Sequence, residues 1–276
     1  VVFDAGDTNS SVEALHANLF TLPIPYGYHN WTGDMVWART YLTGTNPVIL
    51  QRVLPTNPLP AALDMAPSSV AAANAFLASK GLPPMDELSE AGQLYFADYE
   101  LLADAITKDD FIMYAPVVVF YLDTVNVAPG SYAKLMPLAI QLSRGTRAAE
   151  AGPHVWHLPS DPAESWLFAK MHVASSDVQW HEAGAHLGPI HLTMEPFLIA
   201  FFRSFAKDHP MYVFLKPHTY DTFAVNNMGR YSLVARKGAQ FENLNSIGLD
   251  GVLELMERNY NDYWTWEGFS FPQEVA

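Results

Sequence analysis

The sequence lacks cysteine altogether in its 276 residues. A disulfide framework and a thiolate metal site are therefore both excluded, and cysteine usage says nothing about the redox compartment. Any metal ion has to be bound by imidazole, carboxylate or carbonyl groups.

Charge, and positive charge above all, is scarce. Charged residues make up 16% of the chain, against roughly 25% in typical soluble domains. With 15 Lys and Arg against 29 Asp and Glu, the net charge is −14. Nucleic-acid binding depends on basic side chains that neutralise phosphates, so this balance argues against a nucleic-acid partner and leaves apolar ligands open.

Long apolar runs are missing too. No stretch of about 18 apolar residues occurs, so we expect no membrane span and a soluble chain. Val1 is preceded by neither an initiator Met nor a signal-peptide pattern. We therefore expect a processed or trimmed start, and the compartment stays open, secretion or a periplasmic location included.

Apolar and helical patterns predict a mainly α fold with a small β-sheet element near residues 115–142. The β-branched run at 115–122 predicts a buried strand, and 135–142 predicts its hairpin partner across a turn at Gly130. Residues 1–60 are expected to form an irregular wrap with short helical pieces.

Sequence patterns predict where two further helices begin. Ser68 and Ser69 precede an Ala-rich stretch and predict an N-cap, while Asp161 and Pro162 predict the cap and first position of another helix. From 165 to 205 no strong stop occurs. We expect one long, locally distorted helix there, or two in succession.

Half of the ten histidines fall within 38 residues of this region. Histidine is the commonest metal ligand among side chains, so this density points to a metal site. The five are His181, His186, His191, His209 and His218.

The first three histidines are spaced by fives, which does not suit an ideal α-helix. Residues five apart lie roughly 140° apart around such a helix and about 7.5 Å apart along it. The zinc-protease pattern spaces its histidines by four, so His181 and Glu182 do not indicate a zinc hydrolase. A π-helical turn brings residues five apart nearly into line, and Gly184, Gly188 and Pro189 favour such a deformation.

This histidine register resembles the signature of the lipoxygenases. Neighbouring segments resemble the family in the same order from about residue 38 onward, and the short loops and Glu182 are closer to its bacterial members than to plant ones. The segments are Leu42 to Val48, Asp98-Tyr99, Pro137 to Leu142, Trp166 to Lys170, Glu195-Pro196-Phe197, His209-Pro210, Leu215 to His218 and Asn226 to Leu233.

The resemblance implies a lipoxygenase-type helical catalytic domain and a reaction. That reaction is dioxygenation of polyunsaturated fatty acids such as linoleate, which contain a cis,cis-1,4-pentadiene, to hydroperoxides. Hydrogen abstraction would be performed by an Fe(III)-hydroxide, with no catalytic side chain beyond it. The protein would supply the ligand field, the substrate position and control of oxygen access.

The same resemblance assigns roles to particular residues. His186 and His191 would bind non-haem iron, with manganese less favoured, while His181 and Glu182 would lie behind these ligands. His209 and His218 would be structural.

Two residues would contact the substrate. Gly229 falls where glycine accompanies R hydroperoxides and alanine S hydroperoxides, and Leu233 falls where a leucine packs over the pentadiene.

One departure from the family is large. Lipoxygenases complete the metal site with a further His, an Asn or its equivalent, and the carboxylate of a C-terminal Ile. This chain has no His-x3-Asn pair and ends at Ala276. We therefore expect residues 1–276 to be a single partial domain, the N-terminal portion of a nicked or split enzyme. A second chain, forming a heterodimer, would supply the remaining ligands.

Alternatives remain open at this point. The chain could be a non-catalytic structural or interaction remnant of the fold that lacks a complete site. His186 and His191 could be a pair of buried, hydrogen-bonded imidazoles. Gly229 could be a plain helix or turn glycine.

Overall fold

The structure, a computed structural model, describes residues 30–54, 58–59, 65–108, 111–142, 144, 155–236 and 238–263. Most of the predicted N-terminal wrap and the C-terminal end lie outside these ranges. The α-helices are α1 (Asp34–Thr43), α2 (Pro67–Ser79), α3 (Met85–Glu90), α4 (Ala163–Trp180), α5 (Met194–Ser204), α6 (Pro210–Leu215), α7 (Thr222–Ser232), α8 (Gln240–Leu244) and α9 (Gly248–Tyr263).

Shorter elements connect the helices. Short 3-10 helices cover Pro47–Ile49, Glu100–Leu102 and Lys216–Thr219, and two π-helical segments are π1 (His181–Ala185) and π2 (Leu187–Leu192). The strands are β1 (Leu50–Arg52), β2 (Leu94–Asp98), β3 (Val117–Asp123), β4 (Lys134–Gln141) and β5 (Trp156–His157). The prediction of a mainly helical fold with a small sheet is confirmed.

The five strands form an antiparallel meander in chain order. The predicted hairpin is its β3–β4 pair, and Gly130 in the connection has a φ of 78°. That conformation is readily adopted only without a side chain. The sheet is wider than predicted because β1, β2 and β5 join it, and runs of two to five residues carry little periodic signal.

Strand β3 is buried on both faces. Val117, Val119 and Tyr121 pack into a core with α2 and α3, whereas Val118 and Phe120 pack into a second core with α1, α4 and α9. A strand covered on both faces is apolar throughout instead of alternating. The continuous apolar run therefore identified the strand correctly.

Both predicted helix caps are wrong. Helix α4 is preceded by Pro162 without a side-chain cap, and the Asp161 carboxylate accepts a hydrogen bond from the Leu158 amide, 2.8 Å away. Helix α2 begins at Pro67, so Ser68 and Ser69 lie inside its first turn. A proline at or next to the helix start has no N–H that would need a cap, which reduces the demand for a polar side chain there.

The predicted long, distorted helix is present. It runs from α4 through π1 and π2 into α5, and His186 between the two π-helical segments has a non-helical backbone with φ −118° and ψ −81°. The π1 segment packs against α9, where the Asn259 side-chain amide donates to the Gly184 carbonyl at 3.2 Å. In the described part of the chain, no helix has the length and apolarity needed to cross a membrane.

Candidate metal centre

The π-helical segments set the spacing of the first three histidines. The His186 amide donates to the His181 carbonyl at 2.7 Å, and the His191 amide donates to the His186 carbonyl at 3.3 Å. The rings of His181 and His186 are stacked with centroids 4.6 Å apart, and the rings of His186 and His191 are perpendicular at 4.7 Å. The hydrogen bonding from i to i+5 predicted from the spacing is confirmed.

Local sequence explains why the helix deforms here. Pro189 has no N–H to donate to the preceding turn. A Cβ added at Gly188 would lie 2.7 Å from the Ala183 carbonyl oxygen and 3.1 Å from Cγ of Met256 on α9. Only glycine therefore fits where the widened turn packs against α9.

His186 and His191 bring their Nε2 atoms within 3.1 Å of each other. Two nitrogen ligands that lie about 2.1 Å from one ion, at a right angle, are separated by about 3.0 Å. The observed distance therefore matches a pair of neighbouring ligands of a single metal ion.

The opposite ring nitrogens decide which tautomers are favoured. His191 Nδ1 lies 2.8 Å from Asn226 Oδ1, and His186 Nδ1 faces Glu182 Oε2 at 3.6 Å with no hydrogen-bond partner among the described residues. Protons on both Nδ1 atoms leave two Nε2 lone pairs facing each other, an arrangement that a cation relieves. If one ring instead donated a hydrogen bond from its Nε2 to the other ring, the Nδ1 of the donating ring would have no proton. Its lone pair would then face an acceptor oxygen, which is unfavourable.

His181 is held differently. Its Nδ1 lies 2.6 Å from Asn46 Oδ1, and the Asn46 amide donates to the Asp177 carbonyl at 2.9 Å. Burial, followed by the neighbouring His186, lowers the pKa of His181. A neutral His181 ring therefore supports the His186 ring by stacking on it.

A second group of three candidate ligands overlaps the first. His181, Glu182 and His186 offer ligand atoms that all lie within 4.8 Å of one another. The rings of His181 and His186 are nearly parallel, at 16°, and His181 Nδ1 is already paired with Asn46. The perpendicular pair of His186 and His191 converges better on a single point.

The sequence patterns gave no role to Asn46, Glu195 or Asn226. Glu195 Oε2 accepts hydrogen bonds from Asn226 and from Arg230, and these bonds lower the pKa of Glu195. Asn226 lies 35 positions after His191, so no helical or strand period relates the two residues. Their only signal was membership of segments that resemble one family.

The predicted substrate residues lie on the same helix as Asn226. Asn226 and Gly229 are three residues apart in α7, with Leu233 at its C-cap, so the three share one face. A Cβ added at Gly229 would lie 3.7 Å from Leu233 Cδ1, an ordinary contact.

The last two histidines of the cluster lie on the exposed side. His209 caps α6 by accepting a hydrogen bond from the Met211 amide at 3.2 Å. His218 lies exposed in the 3-10 turn Lys216–Thr219.

Fold and site together define a mainly helical protein in which a π-helix presents converging imidazoles beside a small antiparallel sheet. A family profile described as Lipoxygenase matches residues 11–276, almost the whole chain. The chain belongs to the lipoxygenase family.

Individual relatives share this sequence over part of their length. The chain is 32% identical over 247 residues to polyunsaturated fatty acid lipoxygenase ALOX15 of Bos taurus, which covers 90% of this chain and 34% of the relative. It is also 32% identical over 260 residues to hydroperoxide isomerase ALOXE3 of Mus musculus, covering 92% and 34%. The chain thus spans about a third of the length of these relatives.

Solved structures share the fold. A coral 8R-lipoxygenase is similar with a TM-score of 0.76 and 27% identity, covering 92% of this chain and 35% of its own. A manganese lipoxygenase has a TM-score of 0.67 at 22% identity, covering 90% and 40%.

Proposed function

We propose that this chain is the N-terminal portion of the catalytic domain of a lipoxygenase that dioxygenates polyunsaturated fatty acids. The observation that carries the proposal is the 3.1 Å approach of the Nε2 atoms of His186 and His191. The His191 ring is held from behind by Asn226 Oδ1, and the His186 ring has the Glu182 carboxylate 3.6 Å from its Nδ1, which suits a pair of neutral ligands.

The residues present fit a non-haem metal ion. Imidazole and oxygen ligands suit iron, and they also suit manganese, the metal named for one similar structure. We favour iron, which when bound supplies the one-electron chemistry of hydrogen abstraction from a pentadiene. This chain's own contribution is to orient two ligands, with His181 stacked behind His186 and Asn226 behind His191.

Substrate contact is assigned to α7. Leu233 would pack over the pentadiene, and Gly229 would leave room for oxygen to reach one face of it. We therefore propose a hydroperoxide of mainly R configuration. One similar structure is described as an 8R-lipoxygenase and two relatives as (12S)/(13S)-lipoxygenases, so the choice of R rests on Gly229.

The metal site needs ligands beyond this chain's two histidines. Apolar side chains on α5, α6 and α7 are also exposed, including Phe197, Phe214 and Met228. Ring contacts of Phe202 with Tyr212 and Phe223 connect the three helices, and large exposed apolar surfaces mark interaction sites. A complementary C-terminal lipoxygenase polypeptide would cover these helices and supply a further His, an Asn and the terminal Ile carboxylate.

Metal analysis of the assembled enzyme tests the proposal. His186→Ala and His191→Ala should each abolish stoichiometric iron, whereas His218→Ala, an exposed histidine of the same cluster, should retain it. Iron that survives His191→Ala but is lost in His181→Ala would place the metal in the other histidine group and overturn the assignment.

A second measurement separates the two activities found among the relatives. Oxygen consumption and conjugated-diene formation from linoleate identify a dioxygenase, whereas consumption of added fatty-acid hydroperoxide without oxygen uptake identifies a hydroperoxide isomerase. An assembled protein that holds no metal and performs neither reaction would instead be a structural remnant of the fold.

A further inference from the structure

Asn226 contacts His191 with both ends of its side chain. Its Oδ1 lies 2.8 Å from His191 Nδ1, and its Nδ2 donates to the His191 carbonyl at 2.9 Å. Nδ2 also donates to Glu195 Oε2 at 2.7 Å. Asn226 is 2% exposed, although α7 as a whole lies on an exposed part of the molecule.

These contacts fix which way the amide points. Nδ2 is matched to two acceptors, a carbonyl and a carboxylate, so Oδ1 has to be the atom that faces His191. Oδ1 can only accept, and the proton of a neutral His191 therefore lies on Nδ1. The Nε2 lone pair is left to point at His186.

Glu195 is in turn held in its position by Arg230. The guanidinium donates to the same Oε2 atom at 2.6 Å, and side-chain exposure is 17% for Glu195 and 45% for Arg230. A charge-assisted pair of this geometry keeps the carboxylate ionised and aimed at the Asn226 amide. A chain of contacts thus runs from Arg230 through Glu195 and Asn226 to His191.

We propose that Asn226, oriented by Glu195 and Arg230, is a positioning residue that sets the tautomer, direction and electron-donating strength of His191 as a metal ligand. The inference rests on the proposed function in one respect, that His191 binds the metal. It adds that the carboxylate of Glu195 acts on the metal through an intervening amide.

His181 is held by a related clamp. The Asn46 amide donates to the backbone carbonyl of Asp177 at 2.9 Å and also interacts with the Asp177 carboxyl group, whose pKa is raised chiefly by burial. A polarised hydrogen bond strengthens the next one along a chain, and a charged acceptor polarises more than a neutral one. In the clamp on His191, the carboxylate oxygen Glu195 Oε2 accepts directly from the amide at 2.7 Å and is held in turn by Arg230.

Variants of the assembled iron enzyme test the inference. Asn226→Ala should weaken ferrous-iron affinity by about 10- to 100-fold, as measured by competition with a chelator. Asn227→Ala is the matched control, since Asn227 is the exposed neighbour on the same helix. Melting of the metal-free protein reports separately on any loss of folding.

Glu195→Gln provides a variant that preserves shape. Its amide oxygen can still accept from Asn226 and Arg230, so only the charge is lost. The reduction potential of the iron should shift to more positive values, because a less electron-rich His191 stabilises the ferric state less. A merely structural Glu195 would leave the potential and the ferric EPR signal unchanged.

The outcomes are separable from those of the proposed function. If His191→Ala keeps its iron, the ligand assignment fails and this inference with it. If His191→Ala loses iron while Asn226→Ala binds it as Asn227→Ala does, only the positioning role is overturned. Should Asn226→Ala not fold, an unchanged potential in Glu195→Gln would overturn it by itself.

Discussion

The sheet layer and the helices α5 to α7 both contain large apolar side chains, but these are buried in the sheet layer and largely exposed on the helices. Val118 and Phe120 in β3 are 0% exposed, whereas Phe197 in α5 is 62% exposed and Phe214 in α6 is 65% exposed. Within the described residues, α5 has no buried residue at all. The sheet layer therefore buries its apolar side chains within the described residues, whereas α5 to α7 leave many of theirs exposed, and under the proposed function another polypeptide would cover them.

The candidate metal centre lies at the boundary between these regions. On the sheet side, Tyr99 donates to Asp177, and Asn46 links Asp177 to His181. On the other side, His191 is held by Asn226 of α7. His181 is thus held from a packed core, whereas His191 is held from a helix in which Asn226 is the one buried residue.

The largest effect is expected from a substitution in the core of the sheet layer. Phe120 packs against the rings of Tyr41 and Trp37, with centroids 4.7 and 6.0 Å away. Phe120→Ala should lower the free energy of unfolding by about 3–5 kcal/mol. In the isolated chain, Phe197→Ala should change it by less than about 0.5 kcal/mol, because an exposed ring loses little on truncation.

Denaturant unfolding of both variants measures the difference directly. Equal losses of unfolding free energy in the two variants would mean that Phe197 is buried within this chain. The contrast between the sheet layer and α5 would then be wrong.

A second, smaller effect concerns assembly with the complementary polypeptide. Phe197→Asp and Phe214→Asp should each weaken it about 30-fold or more, equivalent to about 2 kcal/mol, because a buried aromatic anchor is replaced by a charge. Tyr132→Asp is the control, since Tyr132 is 94% exposed in the β3–β4 connection of the sheet region. Titration of one labelled chain with the other gives the dissociation constants.

The same experiment also tests whether the exposed apolar side chains of α5 and α6 bind the complementary polypeptide. Assembly unaffected by either Phe variant would show that the partner covers a different face of the molecule.

A small gain in stability is expected from Gly229→Ala in α7. The added methyl group meets Leu233 at an ordinary contact distance, and alanine favours a helix over glycine by about 0.5–1 kcal/mol. Product configuration should nevertheless shift from R toward S, because the methyl group occupies space assigned to oxygen. Chiral chromatography of the hydroperoxide checks this, and an S product from the unmutated enzyme would contradict the assignment of Gly229.

Some structural features were predictable because they depend on residues that are close together in the sequence. The β3–β4 hairpin followed from two apolar runs around Gly130, and the π-helical turns followed from histidines spaced by fives with Gly188 and Pro189 among them. The caps at Ser68 and Asp161 were predicted wrongly, because Pro67 begins α2 and Pro162 directly precedes α4, and a proline has no N–H that a side chain would need to cap.

The sequence by itself determined the strongly apolar strands, the deformable helix and the histidines that it carries, because each depends on residues within a few positions of one another. Only the tertiary structure decided which ring nitrogens of His181 and His191 face amide oxygens and how far apart the nitrogens of His186 and His191 lie. Asn46 reaches His181 from 135 positions away, and Asn226 reaches His191 from 35. No local pattern encodes such contacts, since they exist only once packing has brought distant helices together.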